Sequence, residues 1–256
     1  MTELAALLFD VDGTLADTER DGHRVAFNRA FQQAKLDWDW SVELYGKLLA
    51  ITGGKERINH YLNHFRPEFQ IEGDRDRFIA DLHAAKTRIY TDMLKEGGIP
   101  LRPGVERLFR EAREQGVRLA VATTTTVDNV QALITYTLGK GALNWFDVLA
   151  AGDVVPHKKP APDIYFYAME HLGLSPEQCL AFEDSENGIH STTDAGLTTV
   201  ITINDYTCDH RFDGAALVLD QLGEPDQPFQ VLHGDAGNHQ YFDLDLARDI
   251  HRRFQA

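Results

Sequence analysis

The segment Leu4-Ala-Ala-Leu-Leu-Phe9 is a continuous apolar run that stops abruptly at Asp10-Val11-Asp12-Gly13-Thr14. Apolar residues without alternation, closed by acids and a glycine, read as a strand buried on both faces that runs into a tight loop. Strands of that kind belong to parallel sheets covered by helices. Comparable runs recur at 117–122, 146–151, 179–182 and 199–203, and helical stretches at 103–114, 127–138, 162–172 and 187–195 alternate with them. Pro103-Gly104 opens one stretch, and Ser175-Pro176-Glu177-Gln178 makes a one-turn start with a serine cap and proline at the first position. The alternation predicts an α/β fold with a doubly wound, Rossmann-like parallel sheet.

Residues 17–95 break this rhythm. Val25, Phe27, Ala30 and Phe31, and later Phe78, Leu82, Ala85 and Ile89, follow helical spacing with no buried-strand run among them. Another helix begins near Gly54 and extends through Tyr61-Leu62 and Phe65. This pattern predicts a helical bundle inserted as a cap after the first strand. The expected organisation is a core from 1–16 and 96–225, a cap from 17–95, and a C-terminal extension, 226–256, packed on or near the core. Val218-Leu219 is expected as the last strand, Gly223-Glu-Pro-Asp-Gln-Pro228 as a break, and an amphipathic helix near 244–254.

Hydrophobic residues make up 43% of the 256, ample for a sizeable core without metal or disulfide support. The two cysteines, Cys179 and Cys208, have no metal-binding spacing. A net charge of −15 argues against nucleic acid or an anionic membrane as partner. No stretch approaches the roughly 18–20 apolar residues of a membrane span, and the N-terminus lacks a basic leader region. The expectation is a cytoplasmic protein with no obligate protein partner. Any site for an anionic substrate must then carry its own local cations.

Four signals carry chemistry. Asp10 and Asp12 leave the carboxyl end of the first strand, where open α/β sheets bind ligands, and two acids this close ionise together only at a cost. Glu183-Asp184 closes the run Leu180-Ala-Phe182 in the same way. A hard divalent cation with oxygen ligands, such as Mg²⁺, would relieve both pairs. Thr123-Thr124 follows a third strand and offers hydroxyls and N–H groups to a phosphate. Lys158-Lys159 can supply compensating positive charge. Each signal also has a plain structural reading, as a turn, a helix cap, a strand end or a solvated loop lysine.

Taken in order, these motifs resemble the haloacid dehalogenase-like phosphohydrolases over residues 5–219. The resemblance implies Asp10 as nucleophile, Asp12 as general acid/base, Thr123 as phosphate-binding hydroxyl and Lys159 as the orienting cation. It implies Mg²⁺ held by Asp10, Glu183 and Asp184, with the main-chain carbonyl of Asp12 as a further ligand. Dehalogenase and phosphonatase members usually lack the second aspartate, so Asp12 implies phosphoryl transfer. The helical insertion resembles the small cap of the branch that holds phosphoglycolate phosphatases and β-phosphoglucomutase.

In the cap, Thr52-Gly53-Gly54-Lys55-Glu56-Arg57 places a glycine-rich turn before a helix, with a lysine in its first turn. Main-chain N–H groups and a cation make a second anion site there, or else a solvated helix start. This segment and the linker Asp17-Thr18-Glu19-Arg-Asp-Gly-His23 resemble CbbY-type xylulose-1,5-bisphosphate phosphatases. The substrate this implies is a sugar bisphosphate, an inhibitor of the Calvin-cycle enzyme Rubisco. Its phosphates would be bound by Asp10, Thr123, Thr124 and Lys159 at one end and by Thr52, Gly53, Gly54, Lys55 and Arg57 at the other, with Glu19 on a sugar hydroxyl. His23 lies one residue out of register with the cap histidine of the mutase branch. A sugar-phosphate mutase of the β-phosphoglucomutase type uses the same motifs and stays open as the alternative.

Overall fold

The computed structural model describes residues 2–51 and 54–254. The chain forms two compact units, residues 1–17 with 100–256, and residues 18–99. Residues 96–99 thus group with the helices that precede them. Ile99 is 1% exposed, and it packs on Gly22, where a side chain would collide with Ile99 and Tyr90.

The helical unit opens with a π-helical stretch, Thr18–His23, which runs into α1 (Arg24–Gln33). It continues through α2 (Val42–Leu49), α3 (Gly54–Phe65) and α4 (Arg75–Lys95). Ser41 caps α2 by accepting from Leu44 N at 3.1 Å, and Asp74 caps α4 by accepting from Arg77 N at 2.8 Å. Short helices bury little area, and aromatic rings make up the deficit. Trp40 is fully buried with its ring centroid 4.6 Å from Phe27 and 4.9 Å from Phe31. Asn28 fixes this centre by accepting from Trp40 N at 2.8 Å and donating to Trp40 O at 3.0 Å.

The other unit is built on seven strands among the described residues, β1 (Ala6–Phe9), β2 (Arg118–Thr123), β3 (Val148–Ala151), β4 (Cys179–Glu183), β5 (Thr198–Thr202), β6 (Leu217–Leu219) and β7 (Val231–Gly234). Their order is β3-β2-β1-β4-β5-β6-β7, parallel except for the last pair. The helices are α5 (Val105–Glu114), α6 (Val127–Leu138), α7 (Asp163–Leu172), α8 (Glu186–Asp194) and α9 (Leu244–Phe254). Period-two geometry assigns the strand side chains to two faces. On one face Ala6, Leu8, Ala120, Ala122, Cys179 and Ala181 make a shallow surface that admits α7. On the other, larger rings stack: Phe9 lies 4.5 Å from Phe182 and 5.0 Å from Phe109, and Phe242 lies 5.1 Å from Phe182.

The expectation that Val218-Leu219 ends the sheet is corrected by β7. This strand pairs with β6 antiparallel, and all four of its residues are exposed. An edge strand with nothing covering it shows no buried run to read. The extension therefore joins the sheet, and the buried residues of α9, Leu244, Leu246, Ala247 and Ile250, complete the core of this unit. Among the described residues, no helix is long and apolar enough to cross a membrane.

Candidate active site

Register brings the first two acid signals together. Phe9 pairs with Phe182 across β1 and β4, so the next residues, Asp10 and Glu183, emerge side by side at the carboxyl end of the sheet. Asp10 N donates to Phe182 O at 3.0 Å, which continues the ladder one step beyond the strand. The sequence doubles back here: β1 lies between β2 and β4, the kind of switch point where open α/β sheets bind ligands. Gly13 has φ 93°, and a side chain on it would collide with Asp184 and Asn204. Gly188 in α8 is equally constrained, because a side chain there would occupy the place of the Glu183 carboxylate.

The two adjacent lysines separate into different roles. Lys158 pairs with Asp153 at 2.8 Å on the surface and donates to Gly152 O. Lys159 is buried, and its three N–H groups are matched by three acceptors. Nζ donates to Asp10 Oδ1 at 2.7 Å, Ala122 O at 2.8 Å and Glu183 Oε1 at 2.5 Å. Burial alone would depress its pKa, but the charges on Asp10 and Glu183 outweigh that effect and raise it. The ammonium is therefore permanent, and it is the local cation that a chain of net charge −15 requires.

The pKa values of Glu183 and Asp184 are raised as well, which for an acid favours the neutral form. Burial, with the like charge of Asp10, pushes Glu183 up, while Lys159 pulls against it. Burial again, then Asp10 and Glu183, raises Asp184 well above the usual carboxylate range, against a hydrogen bond from Asn204 Nδ2 at 2.7 Å. Asp10, Glu183 and Asp184 each direct an oxygen into a cluster whose atoms lie within 4.8 Å of one another. Three carboxylates against one ammonium leave two negative charges, the charge of one divalent cation. An all-oxygen donor set suits a hard divalent metal. The residues present fit such an ion.

Other expected residues are placed as follows. Asp12 is half-buried, with its main chain bridged to Ala16, and its carboxylate is outside the cluster of three. Thr123 ends β2, is 1% exposed and accepts from Thr125 N at 3.3 Å, while Thr124 is exposed. Thr14 Oγ1 is buried without a hydrogen-bond partner among the described residues. In the helical unit, Gly54 begins α3 and Lys55 is exposed, but Thr52 and Gly53 lie outside the described residues. Arg57 is turned inward, donating to Leu48 O at 3.1 Å, Tyr45 Oη at 2.8 Å and Ile51 O at 3.3 Å. Tyr45 Oη in turn donates to Glu19 at 2.6 Å. His23 stacks on Tyr90 and meets Lys86 Nζ through Nδ1 at 2.6 Å.

Three residues escaped the sequence reading. Tyr165 donates to Glu183 Oε1 at 2.5 Å. Asn204 could have been found, since it is the first polar residue after the run that ends at Ile203. Arg102 gave no signal. Its guanidinium donates to Gly13 O, Thr202 O, Ile203 O and Asp220 O, and lies 3.6 Å from Asp17. These acceptors come from three separated segments, which only the fold assembles.

The haloacid dehalogenase-like hydrolase profile matches residues 4–196. CbbY of Cupriavidus necator, plasmid-encoded, is 44% identical over 249 residues, 97% of each chain. CbbY of Rhodobacter capsulatus is 50% identical over 213 residues, 83% of this chain and 91% of that one. The D10N mutant of CbbY from Rhodobacter sphaeroides, solved in complex with xylulose-1,5-bisphosphate, superimposes with a TM-score of 0.73 at 46% identity, covering 85% of this chain and 94% of that chain.

Proposed function

This chain belongs to the haloacid dehalogenase-like hydrolases and is a phosphatase, and we propose that it removes one phosphate from xylulose-1,5-bisphosphate through a phosphoaspartate on Asp10. The observation that carries the mechanism is the buried pair of Asp10 and Lys159 beside Glu183 and Asp184, with the acids at the carboxyl ends of the adjacent strands β1 and β4 and the lysine reaching them from the loop before α7. The complex of a relative's D10N mutant with this sugar bisphosphate supports the substrate.

Chemistry follows from the placement. A carboxylate oxygen of Asp10 attacks phosphorus in line with the leaving sugar oxygen, forming an acyl phosphate as the ester P–O bond breaks. Lys159 fixes the orientation of Asp10 and offers positive charge where the phosphoryl oxygens gather it. The hydroxyl of Thr123 and the hydroxyl and main-chain N–H of the exposed Thr124 donate to the phosphoryl oxygens. Asp12 gives its proton to the leaving oxygen, then takes one from the water that attacks phosphorus and frees Asp10 as carboxylate. General acid–base help of this kind is worth about 10²–10⁴ in rate. Asp10, Glu183, Asp184 and the Asp12 carbonyl would hold Mg²⁺, which supplies Lewis-acid charge neutralisation at the phosphoryl group.

Recognition of the phosphate that is not cleaved falls to Gly54 and Lys55 at the start of α3, with Thr52 and Gly53. Arg57 supports that segment from inside by holding the carbonyls of Leu48 and Ile51. Glu19 contributes to a sugar hydroxyl while Tyr45 orients it.

The test is incubation with xylulose-1,5-bisphosphate and Mg²⁺, following free phosphate and sugar products together. Stoichiometric phosphate with a pentulose monophosphate is the expected result. Isomerised sugar phosphate without net phosphate release would assign a mutase of the β-phosphoglucomutase type. No turnover on a panel of phosphate esters would overturn phosphoryl transfer itself.

A further inference from the structure

Glu183 Oε1 is shared by two donors at the same distance, Lys159 Nζ and Tyr165 Oη, each 2.5 Å away. Tyr165 sits in the first turn of α7, six residues after Lys159, and is fully buried. The loop between them is tied down by Ser191 Oγ, which donates to Ala161 O at 2.8 Å. Lys159 Nζ also lies 5.0 Å from the centre of the Tyr165 ring. One side chain therefore touches the lysine with its ring face and the carboxylate with its hydroxyl.

We propose that Tyr165 is a positioning residue that locks Glu183 and Lys159 into one unit, so that a single contact sets both the metal-binding carboxylate and the cation on Asp10. The proposal rests on the reading of Asp10 and Lys159 as the reacting pair. Its physical basis is the difference between the two donors. Lys159 reaches Glu183 on a flexible four-carbon stem and divides its ammonium among three acceptors. Tyr165 has two torsions, both fixed by packing, and its hydroxyl points at one oxygen. The other oxygen, Oε2, accepts only the longer bond from Asp184 N at 3.3 Å among the described contacts. Without the hydroxyl, the orientation of Glu183 depends on the lysine, and the orientation of the lysine depends on Glu183. The ring also has a separable effect, since a phenylalanine would keep the packing and the cation contact.

Tyr165→Phe is the test, read in two ways. Titration calorimetry of the purified protein with Mg²⁺ should show affinity weakened about tenfold, the loss expected for one hydrogen bond to a charged group. At saturating Mg²⁺, kcat on a small phosphate monoester should stay down by about fivefold to tenfold with KM changed less than twofold, because Lys159 is loosened as well. Mg²⁺ affinity and kcat both within twofold of wild type would overturn the proposal. So would a lowered melting temperature with both quantities unchanged, which would leave the tyrosine a packing residue. Should the variant not fold, a crystal structure of the wild-type protein with Mg²⁺ decides: Tyr165 Oη beyond hydrogen-bond distance of Glu183 overturns the proposal, and a retained shared oxygen upholds it. Failure of the underlying reading is separate, since wild type would then show no turnover at all.

Discussion

The two units meet the same physical problem with opposite solutions. Each buries titratable groups, and burial always penalises the charged form. In the sheet unit the buried groups are acids, and burial raises Glu183 and Asp184. In the helical unit Lys86 and Arg57 are buried beside the half-buried His23, whose pKa desolvation lowers well below its ordinary value, with Lys86, Arg57 and His83 adding to the effect. The acids keep a permanent ammonium, Lys159, among them and have room for a divalent cation. The histidine is instead held neutral among cations and aromatic rings. A site that must gather charge during a reaction is thus set against a scaffold arranged to avoid changing its charge.

The sharpest way to separate the units is to disable the chemistry of one and leave both folded. Asp10→Asn is nearly isosteric and should keep the hydrogen bond to Phe182 O, which uses only the main chain. It removes the nucleophile, so kcat should fall by about 10⁴-fold or more on every phosphate ester. Thermal unfolding should stay close to that of wild type. Phosphate release within tenfold of wild type would rule out the covalent route.

The converse experiment loosens the helical unit and leaves the sheet intact. Asn28→Ala removes both Asn28 hydrogen bonds to the Trp40 main chain and strands the buried Trp40 N–H, while Trp40 O keeps its bond from Arg24 Nη1 at 3.2 Å. The expected loss is about 1–3 kcal/mol. Hydrogen exchange read by mass spectrometry should show protection lost across residues 18–99 and retained in β1, β2 and β4. Equal loss in both would mean that the units unfold together.

The asymmetry between the units also explains what could be read before folding. Strand ends speak plainly, because an unbroken apolar run ending in acids is a local pattern; α6 and α9 occupy the residues that periodicity assigned to them. Asp10, Thr123 and Glu183 stand out that way, whereas only the family resemblance singles out Lys159 from Lys158. Arg102 does not stand out, because its value lies in acceptors from residues 13, 202, 203 and 220. Tyr165 carries no local signal, since nothing in the sequence around it reports where its hydroxyl points. In the helical unit, Arg57 reads as a candidate phosphate-binding cation beside Lys55, one helical turn being too short to show which of the two turns inward.

That last distinction sharpens the comparison further. Lys55 is exposed whereas Arg57 is 9% exposed and committed to main-chain carbonyls. Lys55→Ala should therefore affect recognition without touching the fold. A lysine–phosphate contact contributes on the order of 1.5–3 kcal/mol, so kcat/KM for a pentulose bisphosphate should fall about 10–100-fold. A small monophosphate, with nothing to offer that lysine, should be hydrolysed as before. Equal losses on both substrates would make Lys55 a residue of cap folding, and no loss on either would make it a solvated helix start.

The smallest expected effect concerns His23 and follows from its neutral state. Lys86 Nζ can only donate, so His23 Nδ1, 2.6 Å away, must accept and carry no proton. Protonating that nitrogen would turn the hydrogen bond into a repulsion between two cations within a buried aromatic setting. The folded-state pKa is depressed relative to the unfolded value of about 6.5, so the unfolded chain binds the proton more readily. Stability from this group is then fully present above about pH 6.5 and is lost as pH falls from there toward the folded pKa. One proton corresponds to a slope of up to about 1.4 kcal/mol per pH unit over that window. His23→Asn can present an amide oxygen where Nδ1 accepted, and it does not titrate. Urea unfolding of residues 18–99, followed by hydrogen exchange at about pH 7.5 and about pH 5.5, should show a smaller loss on acidification for the variant than for wild type. His83, also lowered by burial and by Lys86, leaves the variant some residual slope. Identical slopes for the two proteins would place the proton uptake elsewhere, and the contrast between a charge-gathering sheet unit and a charge-avoiding helical unit would lose its clearest case.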